Sequence, residues 1–313
     1  MKTNDCIYVA GNNGMVGSAI CRGLKQSGYN NILTMSSHEL DLTCQKDTNE
    51  FFKKNKIDYV FLAAAKVGGI YANQSYPADF LYNNMMIEMN VLHAAYESKV
   101  KKLLFLGSSC IYPKMAKQPI SEDALLTGPL EPTNEAYALA KISGLKYCQY
   151  LNRQYNTHFI SCMPTNLYGP NDNYHPENSH VLPSLLNKFH EAKVMNYPQV
   201  IVWGDGKPLR EFLYVDDLAD ACIFLMNNYD GDETINVGSG DEVTIQQLAE
   251  LIKKIVDYEG EIVFDDSKPN GTPRKRLNIN KLLDMGWRRK TELSRGIIST
   301  YKEYLTNDSR RVK

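Results

Sequence analysis

Residues 6–20 read CIYVAGNNGMVGSAI, and the way this stretch folds decides the class of the whole chain. A short β-rich run, residues 6–10, leads directly into Gly11, Gly14 and Gly17, and then into residues 14–27, whose apolar positions recur at helical spacing. Glycines at a strand-to-helix junction allow a tight turn, close approach of a diphosphate to backbone N–H groups, and close packing of helix on strand. Three glycines alone are a weak signal. At the first strand–helix turn of a βαβ unit they point to a bound dinucleotide.

Working outward, strand-like and helix-like segments alternate. Strands are expected at 31–35, at 58–65 (DYVFLAAA), at 101–107 and at 158–163, with helices at 45–55, 79–99 and 134–155. The unbroken apolar runs suit strands covered on both faces. Repeated βα units imply a parallel sheet with right-handed crossovers. The class is therefore α/β, a Rossmann-type doubly wound parallel sheet with a smaller C-terminal α/β substrate lobe. Beyond Pro164 the pattern loosens into the loop NLYGPNDNYHPENSH, followed by helix 181–195, strand 199–204, a helix from Asp216, INVGSG, helix 244–257, EIVFD and a loop at 266–276. The expected division is a dinucleotide-binding domain over 1–165, to which 205–240 returns, and a smaller lobe over 166–313.

The 313 residues are ample for a sizeable core. With 35 Lys+Arg against 36 Asp+Glu, total charge offers no case for a nucleic-acid or anionic-membrane partner. No apolar run reaches the length of a membrane-crossing helix, and the N-terminus lacks a secretory pattern. The seven cysteines are scattered, without CxxC pairs or zinc spacing, as in a reduced, cytoplasmic protein without a metal.

Tyr137 and Lys141 stand four apart on a predicted helix, so both project from one face. A lysine ammonium beside a phenol favours the phenolate and lowers its pKa towards working pH. Ser108, just past a strand end, is placed to share a substrate oxygen with Tyr137. At the second strand, LTMSSHELDL carries no acid at the strand end to read a ribose 2′-hydroxyl, which leans towards NADP. Ser36, Ser37 and His38 offer hydrogen bonds to a 2′-phosphate, and Asp41 and Leu42 border the adenine. Cys110 by itself reads as a small buried hydrophobe, and His180 as the cap of the following helix. The other cysteines and histidines read as structural.

The blocks AGNNGMVGSAI (10–20), AAAKVGGIYAN (63–73), GSSCIYPK (107–114), EPTNEAYALAK (131–141), PTNLYGPNDNYHPENSHVLP (164–183), VIVWG (200–204), REFLYVDD (210–217) and SKPNGTPRK (267–275) span nearly the whole chain. Together they resemble the extended short-chain dehydrogenase/reductases, and within that family the epimerase/reductases of GDP-4-keto-6-deoxy sugars. The resemblance implies 3,5-epimerisation of GDP-4-keto-6-deoxy-D-mannose followed by NADPH-dependent reduction at C4. It implies catalysis by Ser108, Tyr137 and Lys141, with Cys110 as epimerisation base and His180 as acid. Inversion at carbon needs two such groups, one on each face. Cys110 would gain thiolate character from nearby positive charge.

The implied cofactor shell comprises the glycine loop (Gly11, Asn12, Asn13, Gly14, Met15, Val16, Gly17), then Ser36, Ser37, Asp41 and Leu42 at the adenosine end. Ala63 and Ala64 follow the third strand, and Leu106, Gly107, Ser108 and Ser109 the fourth. Tyr137, Lys141, Pro164, Thr165, Asn166, Leu167 and His180 complete it. The implied GDP-sugar contacts are Ser109, Asn166, Lys188, Trp203, Arg210, Asn270 and Lys275. Members of the family carry 2′-phosphate arginines where this chain has Asn13 and Ser37, so NADH use alongside NADPH is expected. A homodimer through helices 79–99 and 134–155 is implied as well.

Other readings stay open. The substrate could be a different GDP-4-keto sugar, such as a 6-deoxyheptose, or the reaction a plain 4-reduction. A 4,6-dehydratase would place an acidic pair where this chain has Ser109 and Cys110. A UDP-sugar 4-epimerase needs no Cys/His pair. A non-catalytic binding module would be expected to lack one of Ser108, Tyr137 and Lys141.

Overall fold

The computed structural model describes residues 1–175, 179–268 and 270–306. The chain opens with β1 (Ile7–Ala10), α1 (Met15–Gln26), β2 (Ile32–Leu33), α2 (Gln45–Lys54) and β3 (Tyr59–Leu62). It continues through α3 (Ile70–Ser75), α4 (Pro77–Glu97), β4 (Lys102–Leu106), α5 (Glu135–Tyr155) and β5 (Phe159–Pro164). The later part runs β6 (Asn166–Tyr168), α6 (Val181–Val194), β7 (Gln199–Trp203), β8 (Leu209–Arg210), β9 (Phe212–Tyr214), α7 (Val215–Asn228) and β10 (Ile235–Val237). It ends with β11 (Val243–Thr244), α8 (Ile245–Val256), β12 (Glu261–Asp265), β13 (Arg274–Lys275), α9 (Asn280–Asp284) and α10 (Leu293–Thr306).

Six strands form one parallel sheet in the order β10-β5-β4-β3-β1-β2. Strand side chains alternate between faces, and the two sides of this sheet bury different residues. Tyr8, Phe51, Phe52, Val91, Leu103 and Phe105 fill one side. Ile7, Val9, Ile20, Phe61, Leu104 and Leu218 fill the other. A third core, with Leu185, Phe189, Val202, Leu248 and Ile252, lies in the later part of the chain. There β12 runs parallel to β7, and β8 lies between β11 and β13. The strand order reverses direction at β1, with β2 on one side and β3 on the other. Open α/β sheets bind ligands at the carboxyl ends of their strands beside such a point.

Three boundaries differ from the expected ones, each for a local reason. The second strand is only Ile32–Leu33, because Ser36 turns the chain by donating its N–H and hydroxyl to the Glu39 carboxylate at 2.8 and 2.7 Å. The long helix starts at Pro77, whose fixed φ suits a first helical position, and the separate helix α3 precedes it. The loop expected at 266–276 contains β13, which pairs parallel with β8 so that Lys275 lies beside Arg210.

Candidate active site

The turn after β1 is built for an anion. Gly11 has φ +85°, and a Cβ there would lie 2.7 Å from the Ala64 amide nitrogen. A Cβ on Gly17 would lie 2.1 Å from the Gly11 carbonyl oxygen. The N-cap of α1 is Gly14, which provides no side-chain cap, and the first turn carries no acid. The first-turn N–H groups and the positive end of the helix dipole thus suit a dinucleotide diphosphate. A Gly17→Ala change drives a methyl into rigid backbone. It is expected to destabilise the fold by about 3 kcal/mol or more and to abolish dinucleotide binding, read by chemical denaturation and fluorescence titration.

The adenosine end is less basic than the fold would allow. Neither the glycine loop nor residues 35–44 contains a Lys or Arg. Asn12 donates to the Asn13 side-chain oxygen at 3.0 Å, and Ser36 directs both its donors at Glu39. Asp41 accepts from the Thr43 N–H and hydroxyl at 2.9 and 2.7 Å, while Ser37 and His38 are exposed. Arg22 ion-pairs with Asp216 at 2.5 Å.

At the end of β4 the backbone of Ser108 is extended and residues 109–111 form a tight turn. The Ser108 hydroxyl accepts from the Cys110 N–H at 3.3 Å and also hydrogen-bonds the Cys110 and Tyr137 side chains. Tyr137 and Lys141 project from the first two turns of α5. Lys141 is buried, donates to the Leu106 carbonyl at 3.0 Å, and lies 5.7 Å from the centre of the Tyr137 ring. Four of the residues singled out in the sequence thus meet at one strand end.

Their electrostatics correct two expectations. Burial pushes the Tyr137 phenol well above its ordinary value, and Cys110 and Glu88 add to this, against the Ser108 hydrogen bond. Burial also raises the Cys110 thiol, although Lys275, Ser108 and Lys141 all pull it down. Positive charge is present as foreseen, but desolvation outweighs it.

His180 occupies the N-cap position of α6 without a side-chain cap hydrogen bond, and it is exposed. Its pKa is lowered, chiefly by the protein packed around it and then by Lys275. Lys275 interacts with Cys110, Arg210 and Glu131 as well. The sequence placed Lys275 among the nucleotide contacts; the structure also sets it electrostatically between Cys110 and His180. Burial lowers Lys188 and Arg210.

Trp203 is 59% exposed, so it is not a core aromatic, and the ammonium groups of Lys188 and Lys268 lie 5.5 and 5.7 Å from its ring. The Asn270 side-chain oxygen accepts from the Asp205 N–H at 2.9 Å, so this residue pins the turn at 204–206. Asn166 donates to the Glu211 carbonyl at 2.9 Å. Residues 176–178 and Pro269 of the quoted blocks lie outside the described residues. Of the remaining cofactor-shell residues, Ala63 and Ala64 follow β3, Gly107 and Ser109 follow β4, and Pro164, Thr165 and Leu167 lie at the end of β5 or on β6.

Sequence reading missed two acids. The fully buried Glu211 carboxylate accepts from the Gly240 and Leu277 N–H groups at 2.8 and 2.9 Å, tying β8 and β9 to two loops. Glu88, also fully buried, lies 3.0 Å from the Lys141 ammonium. Only its position in the otherwise apolar run of α4 could have signalled it.

A glycine cradle after the first strand and a Ser–Tyr–Lys set after the fourth, backed by a second lobe, define an extended short-chain dehydrogenase/reductase. Comparison with known proteins agrees. The chain belongs to the NAD dependent epimerase/dehydratase family, which matches residues 7–238, and within it to the GDP-L-fucose synthases. It is 60% identical to GDP-L-fucose synthase 1 of Arabidopsis thaliana over 301 residues, covering 96% of this chain and 93% of that protein. A GDP-L-fucose synthetase from Naegleria fowleri bound to NADP superposes with TM-score 0.93 at 31% identity, covering 99% and 97% of the two chains. A GDP-6-OMe-4-keto-L-xylo-heptose reductase from Campylobacter jejuni also superposes with TM-score 0.93, at 38% identity over 98% and 99%.

Proposed function

We infer that this chain makes GDP-L-fucose from GDP-4-keto-6-deoxy-D-mannose, epimerising C3 and C5 and then reducing C4. The observation that carries the reading is the convergence of Ser108, Cys110, Tyr137 and Lys141 on one strand end, with Lys275 linking Cys110 electrostatically to His180. A proton on a carbon flanking a ketone is acidic because the resulting enolate places its charge on oxygen. Ser108 and Tyr137 donate to that oxygen and Lys141 stabilises the charge. Cys110 removes the proton from one face and His180 returns one to the other. NADPH held at the glycine turn would supply hydride for C4, and Tyr137 would give its phenolic proton to the C4 oxygen. Lys188, Arg210 and Trp203 face the GDP part, with charge for phosphate and an aromatic surface for the base.

The reading is tested by turnover of GDP-4-keto-6-deoxymannose with NADPH in D2O, with the product analysed by NMR and mass spectrometry. GDP-fucose with deuterium at C3 and C5 is expected. An unlabelled, unepimerised product would reduce the activity to a plain 4-reduction. No turnover would move attention to the heptose analogue, which the Campylobacter relative's name makes the next substrate to try.

Because no cation lies in the glycine loop or in residues 35–44, we propose that NADH also serves. The expected dissociation constants for NADPH and NADH lie within about tenfold of each other. Ser37→Arg should tighten NADPH alone by roughly ten- to a hundredfold, the worth of a hydrogen bond to a charged group. A strong native preference for NADPH in titration would show that other groups read the 2′-phosphate.

We propose in addition a dimer, a domain division and a cellular setting. Tyr82 on α4, and Leu139, Tyr150 and Tyr155 on α5, are large, apolar or aromatic, and exposed, which supports a homodimer through these helices. We propose a dinucleotide domain over 1–165 with 205–240 returning to it, which the pairing of β10 with β5 supports. The seven free cysteines support a cytoplasmic setting; no helix among the described residues is long and apolar enough to cross a membrane.

A further inference from the structure

The one buried carboxylate beside the Tyr–Lys pair has no part in the chemistry described above, and its surroundings are specific. Glu88 projects from α4 into the seam with α5. Its Oε1 lies 3.0 Å from the Lys141 ammonium, with the two side chains 0% and 3% exposed. Among the described residues, the contact with Lys141 is its polar anchor. Space is reserved for it. A Cβ on Gly144 would lie 2.7 Å from Glu88 Oε2 and 2.6 Å from the Phe105 ring.

An isolated buried carboxylate is strongly disfavoured, and a buried pair breaks badly when one partner is lost. A structural role alone could be met by an apolar side chain of similar volume. Burial pushes the Glu88 carboxyl up while Lys141 pulls it down, and it is the ionised form, paired with Lys141, that can fix its partner. Lys141 has three N–H donors; one goes to the Leu106 carbonyl and one faces Glu88, which leaves the third for the reacting side. The titratable groups around Glu88 are Lys141, Tyr137 and Cys148, all from α5.

We propose that Glu88 is a positioning residue for the reduction: its carboxylate holds the Lys141 ammonium in place and tempers the field that ammonium exerts on Tyr137. The proposal rests on Tyr137 acting as the acid.

The test is the pH dependence of NADPH oxidation with the GDP-4-keto sugar for wild type, Glu88→Gln, Glu88→Asp and Tyr137→Phe. In Glu88→Gln the negative charge is gone while shape is kept. Tyr137 then becomes more acidic, so the alkaline loss of activity is expected to begin about one pH unit lower, with the KM of the sugar within twofold of wild type. Glu88→Asp keeps the charge but withdraws it from Lys141. It is expected to lose about tenfold in kcat with the alkaline limb nearer its wild-type position. A Gln profile superimposed on wild type, with kcat within twofold, would overturn the proposal. Should the Gln variant fail to fold, an Asp variant with wild-type kcat would do the same, and a tenfold loss at unchanged KM would uphold it. Retained reduction in Tyr137→Phe would instead refute the role of Tyr137, whatever Glu88 does.

Discussion

A Cys110→Ser enzyme is expected to lose 3,5-epimerisation by about 10²–10⁴-fold, the usual worth of a positioned general base, while still reducing C4. The change is nearly isosteric, so the tight turn at 109–111 and the Ser108 contacts have no steric reason to move. What is lost is basicity. A serine hydroxyl releases its proton far less readily than a thiol, and in a site where burial already raises the thiol the alcohol stays neutral. The measurement is deuterium content at C3 and C5 of product formed in D2O, together with the identity of the sugar. An unlabelled, unepimerised product is expected. Native labelling at the native rate would remove Cys110 from the chemistry and return it to packing.

The same pair makes a pH prediction. If Cys110 is the base and His180 the acid, as proposed, the base must be a thiolate and the acid an imidazolium. Burial raises Cys110 above its ordinary 9.0 and, with Lys275, lowers His180 below 6.5. The His pKa therefore lies below the Cys pKa, and the reactive combination is a minor form throughout. Between the two values, each rise in thiolate with pH is matched by an equal fall in imidazolium. Epimerisation is thus expected to be flat across neutral pH, falling below the His180 pKa, where the thiolate is suppressed, and above the Cys110 pKa, where the imidazolium is depleted further. The limbs belong to the pair rather than to either residue alone. Lys275→Met should move both limbs to higher pH, since its charge lowers both groups. A narrow optimum near neutrality would contradict the arrangement.

How much of this was legible beforehand depends on sequence distance. The glycine turn, the Tyr137–Lys141 pair and the Ser108–Cys110 strand end are local patterns, so periodicity and spacing expose them. Lys275 was visible only as a cation in a loop, because its partner Arg210 lies on a strand paired through a two-residue register that no local pattern announces. Glu211 gave no signal and Glu88 only its place in an apolar run, for a related reason. Burial of a carboxylate is decided by groups far along the chain, Lys141 in one case and Gly240 and Leu277 in the other. The pKa directions of Tyr137 and Cys110 were misjudged because sequence displays nearby charge but not desolvation. Asn270, expected from the resemblance as a nucleotide contact, also holds its own turn, a bond to Asp205 that the sequence does not announce.

Tyr137→Phe is expected to slow reduction at C4 by about 10²–10⁴-fold and leave NADPH binding within a fewfold of wild type. The ring stays in place, in edge contact with Phe80 at 6.3 Å, so the helix and the seat of Lys141 persist. Only the hydroxyl goes, and the loss of its hydrogen bond with Ser108 costs about 1 kcal/mol of stability. The elevated phenol pKa in the free site means that Tyr137 is fully protonated at neutral pH, as an acid must be before it acts. On the proposed reading, the phenol proton would move to the C4 oxygen as charge develops there, and Lys141 would stabilise the phenolate left behind. Linkage gives the sign. The acid form is lost only as pH rises through the raised pKa, so wild-type reduction should hold through neutral pH and decline on the alkaline side. In Tyr137→Phe that decline should be absent from whatever residual rate remains, because the group that titrates is gone. Stopped-flow NADPH oxidation across pH reads both features. An alkaline limb that survives the substitution would assign it to another group, and a reduction rate within a fewfold of wild type would mean that Ser108 or water delivers the proton.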